Sequence, residues 1–340
     1  MKQQHLLGCS VLLSIALLSP TVARAADITE QLHYRVDSST WGQSREKADT
    51  LLRIGKEQYA SGFPEKAVTS ALEALGIYHG IGDLRAQGLA YDLLGQSYIR
   101  LNRVKEGENA LRRRLAIARD TKDFQGQIFG LNNISTLLLQ KGEPVAAEKT
   151  SEEALTISRQ VKNIEGQGLS LNNLGLAAFR QGNFNKAIQL YEIALNFRRQ
   201  IRDPISEANT LNNLGDAYLQ VRNYPDTIGT YGAAMGISQT SGDRTNQLRA
   251  IDGLVTAHSA VGRYERAFDL LQKRLIISQD LQNRREELKS FASYAHLYEQ
   301  LGNYSTARNF YERAIILAQT LEDNKQELQL VDRLTQMLKR

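Results

Sequence analysis

The chain has 340 residues, long enough for two ordinary domains or for one elongated repeat array. Its hydrophobic content of 42% and charged content of 23% exclude a largely disordered protein. The 42 basic and 37 acidic residues are interspersed, which argues against a nucleic-acid-binding protein, and only 5 prolines interrupt the chain, which favours long helices.

The first segment has the pattern of a signal peptide. A lysine precedes the apolar run 6–18, which is too short to span a bilayer, and the small residues at 23–25 suit a signal peptidase. An interfacial or buried helix is the alternative, but the position and cleavage pattern favour a signal peptide over residues 1–25. We expect the mature chain to begin near Ala26, in the periplasm or otherwise outside the cytoplasm. The single cysteine, Cys9, would leave with the signal, so no disulfide is expected.

Residues 26–43 form a leader that matches no other part of the chain; docking of its Trp41 on the first repeat and a flexible leader are the two alternatives. From residue 44 to residue 323 the sequence repeats seven times with a period of 40, without a gap. Apolar residues at helical spacing and a recurrent turn residue indicate two helices in each repeat. The turn column reads Gly62, Asn102, Gly142, Gly182, Arg222, Gly262 and Gly302.

Another column of each repeat consists mainly of small residues inside the first helix, where two backbones must approach closely. Its members are Gly55, Gly95, Ser135, Gly175, Gly215, Val255 and Ala295. Helix caps are equally regular, because aspartate and asparagine side chains accept hydrogen bonds from the first amides of a helix. These caps are Asp83, Asp123, Asn163, Asp203, Asp243, Asn283 and Asp323.

The combined pattern of small residue, Leu-Gly, Tyr, turn Gly and Ala resembles the tetratricopeptide repeat. It is clearest in residues 171–195 and 291–315, and the 40-residue period resembles the longer variety in Pins-type regulators, kinesin light chains and many bacterial proteins. The resemblance implies an all-α fold: a right-handed α-solenoid, or superhelix, of about seven helix hairpins. Residues 324–340 restart the first-helix pattern and are predicted to be a solvating C-terminal capping helix.

Three consecutive repeats carry a doubled asparagine in the first helix, at 132–133, 172–173 and 212–213. Helical periodicity predicts different roles for the two members of each pair. The second members, Asn133, Asn173 and Asn213, are expected to bond between repeats. The first members, Asn132, Asn172 and Asn212, are expected to line a concave groove and bind the backbone of a peptide. The alternative is that both are tolerated surface residues.

The resemblance places further first-helix residues in the same groove, with apolar side chains for a ligand and arginines for its acidic groups. The candidate partner-binding residues are Asn132, Asn172, Asn212, Phe129, Leu139, Leu169, Phe179, Leu219, Arg100 and Arg180. The competing interpretation is that the column containing Ile99 and Leu139 is buried between long helices. Repeat 6 departs most from the pattern, and its Val255 and Arg274 predict overpacking or a buried charge.

No pattern indicates an enzyme, a cofactor or a metal site, since the histidines of the mature chain are scattered. We therefore expect an exported scaffold that binds an extended peptide or protein segment, as an adaptor or assembly factor for an envelope complex. The expected partner is a protein or peptide and not a nucleic acid or small-molecule substrate, and peripheral association with membrane complexes is compatible with export. The alternative is a structural or self-associating scaffold without a groove ligand.

Overall fold

A computed structural model describes residues 41–339, and the predicted signal peptide and most of the predicted leader lie outside this range. The described chain forms fifteen α-helices and no strand, which confirms the all-α repeat fold. The helices are α1 (Trp41–Ala60), α2 (Pro64–Gly80), α3 (Leu84–Arg100), α4 (Val104–Asp120), α5 (Phe124–Gln140), α6 (Pro144–Gln160), α7 (Ile164–Arg180), α8 (Phe184–Ile201), α9 (Pro204–Gln220), α10 (Tyr224–Ser241), α11 (Arg244–Ala260), α12 (Tyr264–Asp280), α13 (Arg284–Gln300), α14 (Tyr304–Thr320) and α15 (Asn324–Leu338).

The predicted cap residues fix where the first helix of each repeat after the first begins. Each of the seven predicted cap residues accepts a hydrogen bond from the amide three residues later, as Asp83 does from Ala86 at 3.0 Å and Asn163 from Gly166 at 2.7 Å. This bond satisfies one of the amides that a helix start leaves without an intrahelical partner. One difference concerns the leader, because α1 already begins at Trp41 and includes the last three residues assigned to it.

The turn column has the predicted left-handed backbone. The φ angle is positive at all seven positions, from 58° at Arg222 and 59° at Asn102 to 86° at Gly62. Glycine adopts this conformation without the steric cost that a side chain adds, which explains its dominance in the column.

The contacts divide the chain into two compact units, 1–182 and 183–340, of which the described parts contain α1–α7 and α8–α15. In unit 1 the small-residue column permits close helix packing, since a Cβ at Gly95 would lie 2.6 Å from Leu111 Cδ2 of α4. In unit 2 a Cβ at Gly215 would lie 2.8 Å from the Tyr231 ring of α10. Both glycines therefore permit a close approach where a first helix meets the second helix of its own repeat.

Repeat 6 does bury a charge, but that charge is paired. Arg274 is 1% exposed, and its guanidinium donates to the Asp252 carboxylate, to Oε2 and the backbone O of Glu286 at 2.8 and 2.7 Å, and to Ser290 Oγ at 2.7 Å. These partners compensate for its desolvation, so the charge is not by itself a reason for this repeat to be weak. Val255 is half-buried beside the apolar cluster of α12 and α13.

The capping helix differs from a simple solvating cap. One face of α15 buries Leu330 and Met337, and Arg333 donates to Glu299 Oε2 of α13 at 2.9 Å. Another face leaves Leu328 70% exposed together with the exposed Leu338. None of the described helices is long and apolar enough to cross a membrane.

Removing the paired guanidinium should destabilise unit 2. Arg274→Ala leaves the carboxylates of Asp252 and Glu286 without their buried partner, and we expect the free energy of unfolding to fall by about 3 kcal/mol. The control Arg266→Ala removes an exposed arginine whose distance to Asp269 is 3.8 Å, and it should change that energy by less than about 0.5 kcal/mol. Urea denaturation of both variants measures this, and equal losses would contradict the assignment.

Acid should weaken the end of unit 2. Burial alone would raise the pKa of Glu299, but hydrogen bonds from Tyr311 and Arg333 and the charge of Arg333 hold that pKa below its ordinary value of 4.5. A lowered folded-state pKa stabilises the fold above the unfolded value, and this contribution is lost as pH falls through the folded value. Glu299→Gln should therefore reduce the decline in melting temperature below pH 4.5. The control Glu265→Gln, at an exposed position of α12, should leave the decline unchanged.

Candidate partner-binding surface

The first asparagine of each pair does not face an open groove. Asn132, Asn172 and Asn212 are between 0 and 4% exposed, so the expectation that they bind a peptide backbone is wrong for this structure. Asn132 Nδ2 donates to Ser170 Oγ of α7 at 2.9 Å and to the Ile128 carbonyl of its own helix at 2.8 Å. The close approach of α5 and α7 encloses the amide and removes it from solvent.

The second asparagine completes the same junction. Asn173 Nδ2 of α7 donates to the Asn132 carbonyl at 3.2 Å and to Asn132 Oδ1 at 3.0 Å. Asn133, which is half-buried, donates to Asp92 Oδ1 of α3 at 3.2 Å. The predicted inter-repeat role of Asn133 and Asn173 is therefore seen, and Asn132 shares it. Doubling the asparagine lets one helix bond to both of its neighbours.

Unit 2 has a related junction between α9 and α11. Asn212 Nδ2 donates to the carbonyl and Oδ1 of Asn246, both at 3.1 Å. Asn213 Oδ1 accepts from Arg249 at 2.7 Å, and Arg249 also pairs with Asp216. The junction in unit 2 therefore uses a charged side chain as well as amides.

Part of the predicted apolar column lies between helices. Leu139 is half-buried against the core cluster that contains Leu111 and Leu138, and Ile99 packs on the same cluster. A Cβ at Gly107 of α4 would lie 2.6 Å from Ile99 Cγ1, so this column contacts the second helix of its own repeat. The competing interpretation is correct for Ile99 and Leu139. Phe179 and Leu219, in the same column, are half-buried.

The two predicted arginines differ. Arg100 donates to the Tyr59 carbonyl at 3.0 Å, and its guanidinium lies 5.2 Å from the centre of the Tyr59 ring. It therefore holds α3 to the end of α1. Arg180 is exposed at the end of α7, where its pairing with an acidic ligand remains a prediction.

One position in three successive first helices of unit 1 carries an apolar residue that is exposed or half-buried. Leu89 of α3 is exposed, and Phe129 of α5 and Leu169 of α7 are half-buried. We call these three residues the apolar row. In unit 2 the same column is polar, with Asn209, Arg249 and Lys289. Side chains of this size on neighbouring helices form a surface that suits an apolar partner.

A cavity of about 640 Å³ adjoins this row at the edge of unit 1. It lies between the start of α3, the α4–α5 turn and the α6–α7 turn. Its lining residues are Arg85, Leu89, Lys122, Asp123, Phe124, Gln125, Val161 and Asn163. Sequence reasoning missed this site, because its residues come from the two ends of two neighbouring repeats and not from one face of one helix. The one available signal was the phenylalanine at the first position of α5, where an apolar side chain has no intrahelical partner.

Unit 2 has a cavity of about 710 Å³. Polar and charged residues of α11 and α13 border it, including Asp252, Thr256, Lys289, Ser293 and His296. Two of its charges are already paired, since Asp252 binds Arg274 and Lys289 donates to Glu286 at 2.8 Å. Among the described residues, no group of three or more His, Cys, Asp and Glu side chains could hold a metal ion.

Comparison with known proteins agrees with this geometry. Tetratricopeptide repeat profiles match residues 128–200, 206–280 and 288–320, more than half of the chain. The chain belongs to the tetratricopeptide repeat family. Curated proteins compared by sequence show no significant match.

Solved tetratricopeptide repeat structures have a similar fold at low sequence identity. A STAND signal transduction ATPase with a tetratricopeptide repeat sensor, from Pyrococcus horikoshii, is 16% identical with a TM-score of 0.65; the match covers 86% of this chain but 45% of that one. A Rap protein complexed with Competence and Sporulation Factor is 11% identical over 89% of this chain and 98% of that one, with a TM-score of 0.57. BtubC (BKLC) from P. vanneervenii is 20% identical over 67% and 92%, with a TM-score of 0.55. At these identities the likeness shows the fold alone.

The amide junction should contribute to stability. Asn132→Ala removes Oδ1, one of the two acceptors that Asn132 offers to Asn173 Nδ2, and the donor to Ser170 Oγ, and the loss of such buried bonds costs about 1–3 kcal/mol. The control Asn109→Ala changes an exposed asparagine of α4 and should cost less than about 0.5 kcal/mol. Thermal unfolding of both variants measures the difference, and an unchanged melting temperature for Asn132→Ala would be evidence against the junction.

Proposed function

We propose that this chain is an exported scaffold that binds an extended peptide or protein segment, as an adaptor or assembly factor for an envelope complex. The observation that carries the binding role is the apolar row of Leu89, Phe129 and Leu169, which places exposed and half-buried apolar side chains on three successive first helices. The proposal of export rests on the apolar run 6–18 and the small residues that come after it.

Family membership supports a role in protein interaction, because tetratricopeptide arrays expose repeated helix surfaces to their partners. The structurally similar Rap protein is complexed with Competence and Sporulation Factor, which is consistent with ligand binding on this fold. The partner class we propose is a protein or peptide segment, with no role for nucleic acid or a small-molecule substrate. Peripheral association with membrane complexes would follow from the envelope location.

The proposed activity is binding and not catalysis. Several groups of unit 2 with shifted pKa values are partners in ion pairs that join helices. Burial would raise the pKa of Glu286, for example, but Lys289 and Arg274 lower it. Such pairs account for the shifts without a catalytic role.

A self-associating scaffold is the second candidate, and one feature of α15 favours it. Leu328, Val331 and Leu338 form an exposed apolar stripe on this helix. The same column as Leu328 is buried at Leu248 and Leu288. If a second copy of the chain covered this stripe, the two copies would associate through their ends. The apolar row would not be used.

The apolar row should be required for partner capture. Phe129→Ser should weaken binding of the captured segment at least about tenfold, because aromatic anchors contribute about 2 kcal/mol or more at interfaces. Val145→Ser is the matched control, since it removes an exposed apolar residue of α6 in the same unit. Co-purification from the envelope fraction with mass spectrometry identifies the partner, and titration with that partner gives the affinities. Equal weakening by both changes would reject the row as the site.

Export should be visible in the mass of the protein. Intact-mass analysis of protein recovered from cells should show a chain that begins near Ala26, with residues 1–25 removed. Recovery of the full-length chain from the cytoplasm would contradict this part of the proposal and leave the binding role to be judged separately.

A further inference from the structure

The edge cavity of unit 1 exposes large apolar side chains from two neighbouring repeats. Leu89 is 45% exposed, Phe124 is 48% exposed and Val161 is 40% exposed, and all three line the same concave space. Single exposed apolar residues are ordinary, but three that converge on one cavity offer a site for an apolar side chain of a partner. Because Leu89 also belongs to the apolar row, the cavity continues the proposed binding surface.

The side chains that line this cavity carry an excess of positive charge. Among the described residues that line it, Asp123 is the one carboxylate, and both of its oxygens are used: Oδ1 accepts from the Gly126 amide at 2.9 Å and Oδ2 from Arg114 at 2.9 Å. Arg85 and Lys122 are exposed and form no salt bridge with any described residue. Two cations therefore border the apolar lining and remain open to the carboxylates of a ligand.

Local electrostatics keep Asp123 ionised and engaged. Burial would raise its pKa, but the Gly126 amide, the Arg114 guanidinium and the charge of Arg85 hold that pKa below its ordinary value. Since Arg114 is itself buried and paired with Asp123, it is not available to a ligand. The remaining charge that a ligand would meet is that of Arg85 and Lys122.

The positions four repeats later, 160 residues along the chain, differ in chemistry, so this site does not recur in every repeat. Phe124 corresponds to Arg284, which pairs with Glu287 at 2.8 Å, and Leu89 corresponds to Arg249, which pairs with Asp216. In unit 2 these positions are thus polar and satisfied by neighbours. In unit 1 they are apolar and exposed.

We infer that the edge cavity recognises a partner segment in which large apolar side chains alternate with carboxylates. The apolar side chain enters between Leu89, Phe124 and Val161, and the carboxylates pair with Arg85 and Lys122. This inference rests on the proposed function and gives the chemistry of the segment that the scaffold binds. A basic segment would be repelled by the same two cations, so the site selects against it as well.

Three labelled probe peptides test this chemistry with the full chain. Their sequences are GSLDFDGS, GSLNFNGS and GSLKFKGS, which place carboxylate, amide or ammonium side chains beside the same apolar residues. Fluorescence anisotropy should show the acidic peptide binding about tenfold more tightly than the amide peptide, and the lysine peptide most weakly. Raising the salt concentration from about 50 mM to about 500 mM should remove most of this preference, because exposed charges are then screened.

Variants assign the preference to the cavity. The double change Arg85→Glu and Lys122→Glu should abolish or reverse the order of the acidic and lysine peptides. Phe124→Ser, which removes the apolar side chain without adding a charge, should weaken the acidic and amide peptides about tenfold or more through loss of apolar contact. Val145→Ser changes an exposed apolar residue of α6 and should leave all three affinities unchanged. Circular dichroism confirms that each variant is folded.

Several outcomes would overturn the inference: no binding of the acidic probe, equal binding of the acidic and amide probes, or an acidic preference that survives the double charge reversal. Binding of anionic phosphatidylglycerol vesicles that competes fully with the acidic peptide would assign the cavity to a lipid surface instead. The proposed function fails separately, through the partner affinity of Phe129→Ser. Loss of that partner without any acidic preference would reject the cavity chemistry alone.

Discussion

The fold depends on how closely successive first helices approach one another. Small residues allow two helix backbones to come together, and the polar side chains enclosed by that approach must then bond to each other. In unit 1 Asn132, Asn173 and Ser170 meet this requirement between α5 and α7. The junction links local sequence to higher-order architecture: an amide that would weaken an isolated helix becomes favourable when the next repeat supplies its partner.

Much of the fold could be predicted from the sequence because each helix end has its own chemical signal. The caps at Asp83 and Asn163 and the left-handed turns at Gly62 and Asn102 recur at a fixed spacing, so a single repeat predicts the next. The faces of the doubled asparagines could not be assigned with the same certainty. Neighbouring residues of a helix differ by about 100° in direction, and which of them becomes enclosed depends on the angle and distance between helices. Periodicity contains neither quantity, which is why it places Asn132 in a groove.

Buried arginines show a second limit of pattern reading. Arg114 and Arg274 occupy the same column, where the other repeats have alanine. Compared within that column alone, each arginine would be expected to destabilise its repeat by burying a charge. Their compensation comes from elsewhere: Asp123 pairs with Arg114, and Asp252 and Glu286 pair with Arg274. A substitution that departs from the repeat is thus paired with acidic residues outside its column. Sequence reasoning finds such a pair only if it searches for the compensating charge as well as for the deviation.

The same principle separates the surfaces of the two units. In unit 2 Arg249 is already bound by Asn213 and Asp216, so a ligand at this position would have to replace bonds that exist. In unit 1 the corresponding side chain is Leu89, and covering its exposed apolar surface lowers the free energy. Burying apolar surface is favourable without breaking an internal bond, whereas displacing a paired arginine leaves its carboxylate uncompensated. For the partner proposed above, apolar contact on unit 1 would therefore supply most of the binding energy, whereas Arg249 of unit 2 holds neighbouring repeats together.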